Sequence, residues 1–258
     1  NLGSGALTLN VNAVNPLADT TGGNWVQDAV NMIGGVTGGS TVHLGAGTYA
    51  GGTQIHASNV TLTGDTGAKI VALTNGVDGV EIFGNNVTVQ NLEFAGPANQ
   101  SFTTFAWGND ITRGIFVENG AQNFNITGNN IHGLRNDILV DGRNTGSITN
   151  NTIDNSKSGI SVQYTDGTAY DKSLDSSNSP VINIAGNVQG QYGNEWGINY
   201  HLNGYWNGVA GDETHPNANP VTNGIYLANA PTLTWQQGML AQSAANGGMS
   251  IQDQAYKT

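Results

Sequence analysis

Short stretches in which apolar and polar residues alternate recur along the chain, each beginning with Gly or Asp. In every stretch the second and fourth residues are apolar, which is the period of a β-strand with one buried face. Six stretches share the pattern: GVEIF from Gly79, GIFVE from Gly114, DILVD from Asp137, GISVQ from Gly159, GINYH from Gly197 and GIYLA from Gly224. The third begins 23 residues after the second, and the fourth begins 22 residues after the third.

A second set of similar stretches lies between these strands: NVTLTGD from Asn59, NVTVQNLEF from Asn86, NITGNNI from Asn125, SITNNTI from Ser147 and VINIAGNV from Val181. A repeat of about 22 residues with two or three short strands predicts one turn of a parallel β-solenoid, since each turn buries apolar residues against its neighbours. The Asn pairs 129–130 and 150–151 are expected at equivalent corners, where Asn tolerates left-handed backbone and side-chain amides stack. A leucine-rich repeat is the main alternative, but its Leu spacing is absent.

One helix is predicted, directly before the first strands. In NWVQDAVNMIGG, Asn24 is placed as the N-cap, Gly34–Gly35 ends the helix, and the apolar residues fall at helical spacing: Val26, Ala29, Val30 and Ile33. The first turn of a solenoid exposes an apolar end, which an amphipathic helix can cover. We therefore predict an N-terminal extension or linker strand over residues 1–23 and one β-helix domain over residues 24–258.

The stretch from the helix to about residue 55 resembles the start of right-handed parallel β-helix proteins of the pectate-lyase-like superfamily. Those proteins often begin with a helix and then Gly-Gly-x-Val-x-Leu-Pro-x-Gly-x-Tyr. Gly45 stands where Pro is usual, and the matching residues are Gly38–Gly39, Val42, Leu44, Gly47 and Tyr49. The resemblance implies an all-β fold, a right-handed parallel β-helix (solenoid) with an N-terminal capping helix and long loop excursions. It leaves the function open, because the superfamily includes polysaccharide lyases, hydrolases, C5-epimerases, phage tailspikes and bacterial adhesins.

Composition excludes several classes of function. The 258 residues include only 7 Lys and Arg and carry a formal net charge of −11, which argues against nucleic-acid binding. No apolar run reaches the roughly 20 residues of a membrane helix, so no membrane insertion is predicted. With no Cys, 38 Gly and many Asn and Thr residues, the chain is typical of a repeat protein. We expect an extracellular or cell-surface bacterial location, as part of a larger polypeptide.

A polar column is predicted on one surface of the solenoid, because the third and fifth residues of each repeated stretch point outward. The fifth residues are Phe83, Glu118, Asp141, Gln163, His201 and Ala228. Successive turns lie about 4.8 Å apart, so Glu118 and Asp141 are expected to be close like charges. If the protein is an enzyme, the catalytic candidates are Asp141, His201, Glu118 and Arg143. The alternative is a solvated polar face.

Three long excursions interrupt the repeat beside this column, over residues 95–113, 164–180 and 202–223. Long loops in a compact domain are often functional, and these hold many of the aromatic residues of the chain. Aromatic rings beside amides and carboxylates suit the stacking of sugar rings. The predicted glycan-binding residues are Trp107, Trp206, Tyr205, Tyr164 and Gln163. The alternative is that the aromatics only pack the loops onto the solenoid.

Metal-binding motifs are weak. Three aspartates, Asp166, Asp171 and Asp175, are candidate calcium ligands, although their spacing matches neither an EF-hand nor a calcium-binding nonapeptide repeat. Asp212, Glu213 and His215 come close together without the further ligands that a zinc site requires. The expectation is therefore no cofactor, or Ca²⁺ alone.

Two functions are consistent with these patterns. The first is a β-helical module of a secreted or surface-exposed bacterial protein, adhesin-like, that contacts a polysaccharide or cell-surface glycan through loops over one sheet. The alternative is a polysaccharide lyase or C5-epimerase that acts on an acidic polysaccharide in the same groove. The shortage of basic residues favours the binding module, since a polyanionic substrate requires positive charge around it.

Overall fold

The computed structural model of the protein describes residues 5–12, 24–34, 36, 38–72, 76–96, 112–142, 144–154, 156, 158–163, 181–185, 187–189, 198–201, 234–235 and 249–251. Within these ranges the chain forms 21 β-strands and one α-helix. The strands make three sheets, and every strand pairing in these ranges is parallel. The prediction of a mainly β, parallel architecture is therefore confirmed.

Each sheet is built from strands that are far apart in the chain but adjacent in space. The first sheet contains, from one edge to the other, β1 (Thr8–Val11), β2 (Ser40–Leu44), β5 (Val60–Gly64), β8 (Thr88–Gln90), β11 (Phe124–Thr127), β14 (Thr145–Thr149), β17 (Val181–Ala185) and β20 (Thr234–Trp235). The second contains β3 (Gly47–Ala50), β6 (Ala68–Val71), β9 (Glu93–Ala95), β12 (Asn130–His132), β15 (Thr152–Asp154) and β18 (Val188–Gln189). The third contains β4 (Thr53–Ile55), β7 (Val80–Ile82), β10 (Arg113–Val117), β13 (Asn136–Asp141), β16 (Ser158–Gln163), β19 (Ile198–His201) and β21 (Met249–Ile251).

From β2 to β19 the chain visits the first, second and third sheets in turn, so that each circuit adds one strand to each sheet. Asn125 pairs with Ser147 and Ile138 pairs with Ile160, which are the 22-residue separations of the sequence repeat. This arrangement is compatible with a β-helix or another solenoid. Most of the buried apolar residues of the three sheets form one hydrophobic cluster.

The glycine that opens several strands of the third sheet lies against the core. A Cβ on Gly79 would come within 2.8 Å of the Phe94 ring, and one on Gly114 would come within 2.8 Å of Ile131. Both distances are too short for a real Cβ, so these two turns require glycine at this position. Asp137 occupies the same place in the next strand, where its buried carboxylate accepts a hydrogen bond from the Ser156 hydroxyl at 2.6 Å.

Helix α1 (Trp25–Ile33) begins at the predicted cap. The Asn24 side chain accepts a hydrogen bond from the backbone N–H of Gln27 at 3.0 Å, and its amide donates to the Gly51 carbonyl at 3.2 Å. The apolar residues predicted for one helical face are all buried: Val26, Ala29, Val30 and Ile33. The helix packs against β2 and β4, and β4 is an edge strand of the third sheet. It thus covers apolar surface at the beginning of the sheets, as expected of a cap.

Gly45 stands where the β-helix motif that this stretch resembles has Pro, and the structure gives a reason for the difference. Its backbone N–H donates a hydrogen bond to the Val11 carbonyl at 2.8 Å, and proline has no N–H to donate. Val11 ends β1, which lies in the predicted N-terminal extension and pairs along its whole length with β2. The Gly45 N–H therefore helps to hold β1 at the edge of the first sheet.

A ladder of isoleucines runs through the third sheet. Ile115 pairs with Ile138, Ile138 with Ile160, and Ile160 with Ile198, as the sequence predicts. The first three of these side chains have no solvent exposure. Ile225, the second residue of the repeated stretch GIYLA, is predicted to continue the ladder but lies outside the described residues, and Ile198 pairs on its other side with Met249.

Replacement of Ile138 by Ala is expected to lower the free energy of unfolding by about 2–5 kcal/mol, because it leaves a cavity in a packed central turn. Ile160→Ala should lie in the same range. Chemical denaturation measures the effect, with Thr152→Ala as a control because Thr152 is exposed on β15. A loss below about 1 kcal/mol for Ile138→Ala would contradict a core position.

The sequence predicts that the pairs Asn129–Asn130 and Asn150–Asn151 occupy equivalent positions, but this prediction is wrong. The strand register offsets the two pairs by one residue. Asn130 pairs with Thr152, so Gly128 corresponds to Asn150 and Asn129 to Asn151. Gly128 and Asn150 both adopt left-handed backbone, with φ of 68° and 56°. The residue after each one turns its amide inward, where Asn129 and Asn151 are buried and hydrogen-bonded to each other at 3.0 Å. Only one asparagine of each pair therefore belongs to the stacked ladder.

Candidate functional site

The candidate site lies on the outer face of the third sheet. In β7 the side chains of Val80 and Ile82 are fully buried, and Glu81 between them is partly exposed on the opposite face. Gln54 of β4 pairs with Glu81, and Phe116 of β10 pairs with it on the other side. We refer to the following residues together as the third-sheet face: Gln54, His56, Asp78, Glu81, Phe83, Arg113, Phe116, Glu118 and Asp141.

Arg113 is at the centre of the polar contacts on this face. Its Nε donates a hydrogen bond to Oδ1 of Asp78 at 2.6 Å, and the Asp78 side chain has no exposed surface. The guanidinium carbon of Arg113 lies 3.9 Å from the centre of the Phe116 ring, which is a cation–π contact. The Gln54 amide donates to Oε2 of Glu81 at 2.9 Å. A single arginine therefore fixes both a buried carboxyl group and an aromatic ring.

Burial raises the pKa of Asp78 more than any other influence on it. The Arg113 hydrogen bond and charge lower this pKa, whereas the Glu81 carboxyl group raises it. The result is a pKa of about 7. Asp78 is therefore an acid that exchanges its proton near neutral pH.

Glu118 directly follows β10 and extends its pairing with β7, because its backbone N–H donates a hydrogen bond to the Ile82 carbonyl at 2.9 Å. Its carboxyl group is only partly exposed, and burial raises its pKa. The charge of Glu81 raises this pKa further, the charge of Arg113 lowers it, and the charge of Asp141 adds a smaller increase. A partly exposed carboxyl group with a raised pKa is able to donate or accept a proton closer to neutral pH than an ordinary glutamate.

The predicted column follows the order of the strands. Val117 pairs with Val140, which places Glu118 beside Asp141 on the neighbouring strand. Asp141 pairs with Gln163, and Gln163 pairs with His201. The backbone thus brings four of the predicted residues into one line. The side chains of Gln163 and His201 lie outside what the structure describes, and the roles of all four stay predictions.

Most of the other predicted site residues lie outside the described residues. They are the loop aromatics Trp107, Trp206, Tyr205 and Tyr164, the basic residue Arg143, and the calcium candidates Asp166, Asp171 and Asp175. Their proposed roles are untested. Within the described ranges, no group of three or more His, Cys, Asp or Glu side chains is arranged to hold a metal ion.

Sequence reasoning missed Asp78, Glu81 and Arg113. Glu81 had a clear signal, because it is the third residue of GVEIF and the alternation that points Glu118 outward also applies to it. Asp78 and Arg113 each directly precede the glycine that opens a repeated stretch. The glycine and the residue after it both face the core, which breaks the alternation of inward and outward side chains. The direction of the side chain before the glycine therefore cannot be read from the sequence pattern.

A pair of rings adds an aromatic surface to the third-sheet face. The His56 and Phe83 rings stack with their centres 4.2 Å apart and their planes 19° from parallel. His56 is exposed and Phe83 is partly exposed. The stack follows the ends of β4 and β7, and Phe83 precedes Glu118 in the predicted column. Ring faces and carboxyl groups therefore occur together on this surface.

A second polar cluster lies on the outer face of the second sheet. Glu93 accepts a hydrogen bond from Lys69 at 2.6 Å, and its carboxylate lies 3.0 Å from His132 Nε2. Burial alone would raise the pKa of Glu93, but the contacts with Lys69 and His132 outweigh it and lower this pKa. An adjacent open groove of about 620 Å³ is lined by small and polar residues, including Asp65, Asn91, Glu93 and Asn130. The cluster is a satisfied ion-pair network, so we favour the third-sheet face.

Comparison of this chain with protein-family models, with curated proteins and with solved structures finds no match. In the described part of the chain, no helix has the length and apolar character needed to cross a membrane.

Proposed function

We propose that the protein is a β-helical module that binds a polysaccharide or cell-surface glycan on the outer face of its third sheet. The observation that carries this proposal is the combination on one face of the His56–Phe83 ring stack with the polar groups of Gln54, Glu81 and Glu118. Aromatic faces pack against the C–H surfaces of sugar rings, and carboxylates and amides accept or donate hydrogen bonds to sugar hydroxyls.

The shape of the face suits an extended chain. Its members lie on or directly beside β4, β7, β10 and β13, four neighbouring parallel strands of the sheet. With about 4.8 Å between neighbouring strands, the face extends roughly 15–20 Å across the sheet, which is long enough for several sugar residues. The long excursions over residues 95–113 and 164–180 begin or end at strands of this same sheet, and their aromatics are the predicted further contacts.

The charges of the face favour a neutral glycan. The face carries four carboxyl groups, those of Asp78, Glu81, Glu118 and Asp141. Arg113 is the only Lys or Arg in the described part of the face, and it is already ion-paired with Asp78. The whole chain has a formal net charge of −11. A polyuronate would therefore meet net repulsion unless cations came with it.

We further propose that the three sheets form a right-handed parallel β-helix of the pectate-lyase-like type, in a secreted or surface-exposed, adhesin-like bacterial protein. The cyclic order of the sheets supports a coil, and parallel crossover connections are almost always right-handed. The low fraction of charged residues and the high glycine content are the features of the composition that support an extracellular location within a larger polypeptide. An experimental structure in which the sheets coil in the opposite sense would contradict the assignment.

Phe83→Ala is expected to weaken glycan binding by about 1–3 kcal/mol while the fold stays intact, because it removes half of the ring stack. His56→Ala and, in the predicted loop contacts, Trp107→Ala and Trp206→Ala should behave similarly. The measurement is calorimetry against a panel of neutral glucans, mannans and galactans, with pectate and alginate as anionic probes.

The matched control is His43→Ala, which removes a histidine from β2 in the first sheet. It should leave affinity unchanged. Equal losses for His43→Ala and Phe83→Ala would point to a general effect on stability, and tight binding by Phe83→Ala would exclude the third-sheet face as the binding surface.

A polysaccharide lyase or C5-epimerase is the second candidate function, and one observation favours it. Glu118 has a raised pKa and is partly exposed next to Asp141, which is the environment of a group that transfers protons. In this alternative Glu118 and Asp141 exchange protons with the substrate, and His201 and Arg143 are the predicted assisting residues.

A further inference from the structure

We infer that the outer face of the first sheet is a second binding surface, and that its ligand is the water lattice of ice. Three columns of uncharged polar side chains cross four neighbouring strands of this sheet, β5, β8, β11 and β14. We call them the first-sheet array, defined as the side chains at positions 59, 61 and 63 and at the positions in register with them on or directly before the other three strands. Ice binding at this array is independent of glycan binding at the third-sheet face.

The pairing of the strands aligns the array in two directions. Thr61 pairs with Thr88, and Thr88 pairs with Asn125. Asn125 pairs in turn with Ser147, and the column two residues later is aligned in the same way. Neighbouring strands lie about 4.8 Å apart and alternate residues of one strand about 6.6 Å apart, so the array is a grid of roughly 14 Å by 13 Å.

The first column is a chain of asparagine amides. The Asn86 amide donates a hydrogen bond to Oδ1 of Asn59 at 3.0 Å, and the Asn123 amide donates to Oδ1 of Asn86 at 3.3 Å. All three residues are exposed and have left-handed backbone, with φ of 61° at Asn59, 55° at Asn86 and 57° at Asn123. Because the same conformation and contact recur on successive strands, this column repeats with the period of the sheet.

Hydroxyl groups make equivalent contacts in the other two columns. The Ser147 hydroxyl donates to Oδ1 of Asn125 at 2.8 Å, and the Thr149 hydroxyl donates to Oγ1 of Thr127 at 3.1 Å. A hydroxyl that donates one hydrogen bond keeps lone pairs with which it accepts from water. Side-chain ladders of this kind also favour a flat sheet over a twisted one. The array therefore presents polar atoms at fixed and repeating positions on a flat surface.

The chemistry of the array favours water over other ligands. It contains neither an ionisable side chain nor an aromatic ring, whereas the second sheet carries the Lys69–Glu93 ion pair on its outer face and the third carries Arg113. Charged groups hold hydration shells of their own, which oppose a regular water lattice, and sugar rings pack against aromatic faces. Hydroxyl and amide groups donate and accept as water does, and the threonine methyl groups limit the positions open to water between them.

The spacing of the grid favours solid over liquid water. Both spacings are close to repeat distances of the oxygen positions on surfaces of hexagonal ice, so water molecules bound on one strand are in position to bond to those on the next. Liquid water has no fixed period, and the match therefore acts only on the crystal. The array is bordered on the β2 side by His43, which pairs with Thr63 and lies 3.0 Å from Asp65.

The test compares ice binding by the wild-type chain, Thr88→Lys and Thr152→Lys. A lysine at Thr88, on an inner strand of the array, adds a charge and a long side chain that keeps the ice lattice away. Thr152 is exposed on β15 of the second sheet, so its replacement gives the same change of charge outside the array. The wild type should show thermal hysteresis and enter growing ice. Thr88→Lys should reduce both by about tenfold or more, and Thr152→Lys should leave both unchanged.

Circular dichroism verifies that each variant is folded, and the wild-type protein alone already decides the main point. Exclusion of the wild type from growing ice overturns the inference. Wild-type hysteresis in folded Thr88→Lys also overturns it, because ice would then bind elsewhere on the molecule. Binding to powdered cellulose or chitin that Thr88→Lys abolishes, without any ice binding, overturns it as well and assigns the array to a neutral polymer. Ice binding by a protein that binds no glycan in the panel leaves this inference standing and removes the proposed function.

Discussion

Replacement of Asn151 by Ala is expected to lower the free energy of unfolding by about 3–5 kcal/mol, because several buried groups lose their partners at once. The Asn151 side chain has no solvent exposure. Its amide donates to the Ile126 carbonyl at 3.1 Å and to the Asn187 side chain at 2.9 Å. Its Oδ1 accepts from both the backbone N–H and the side-chain amide of Asn129, each at 3.0 Å.

The matched control for this change is the preceding residue. Asn150 is exposed and has a φ of 56°, a conformation that glycine adopts without strain. Asn150→Gly should therefore change the free energy of unfolding by only a few tenths of a kcal/mol. Urea denaturation of both variants gives the comparison. Similar small losses for the two would mean that the ladder contributes little beyond the turn itself.

The strands, the helix and the isoleucine ladder were predictable from the sequence because their signals are local. Alternation over five residues identifies the buried side of a strand, and a 22-residue repeat then aligns neighbouring strands. Asn24 and the spacing of Val26 to Ile33 identify the cap and buried face of α1 in the same way. Each of these inferences requires only residues that are neighbours in the chain or equivalent in the repeat.

The third-sheet face was only partly predictable. Its central contacts involve residues next to core-facing glycines, where side chains do not alternate regularly between the two sides of the sheet. Asp78 and Arg113 are 35 residues apart and meet only because a core-facing glycine follows each of them. The degree of burial is equally hidden in the sequence. Phe116 and Leu139 project from the side of the sheet opposite the isoleucines, yet each is only 7% exposed. Desolvation, the main cause of the raised pKa of Asp78, is a property of the folded surroundings.

The enzyme hypothesis makes a prediction that separates it from glycan binding alone. If the protein is a lyase or C5-epimerase, Glu118→Gln is expected to reduce turnover by about 10²–10⁴-fold, because the amide keeps the shape of the side chain but transfers no proton. Asp141→Asn should also reduce turnover, since Asp141 acts on the charge of Glu118. Phe83→Ala should mainly change apparent affinity instead.

The assay uses pectate, alginate and glycosaminoglycans, with and without calcium. Absorbance from unsaturated ends detects a lyase, and exchange of the C5 proton followed by NMR detects an epimerase. Asp65→Asn, whose carboxylate contacts His43 rather than the third-sheet face, should keep wild-type turnover. Turnover lost with Glu118→Gln but kept with Asp65→Asn would establish catalysis at Glu118 and displace the binding module as the primary function. Binding without turnover in the wild type, lost with Phe83→Ala and kept with Glu118→Gln, would instead leave the third-sheet face as a surface that recognises sugar rings by its aromatic stack.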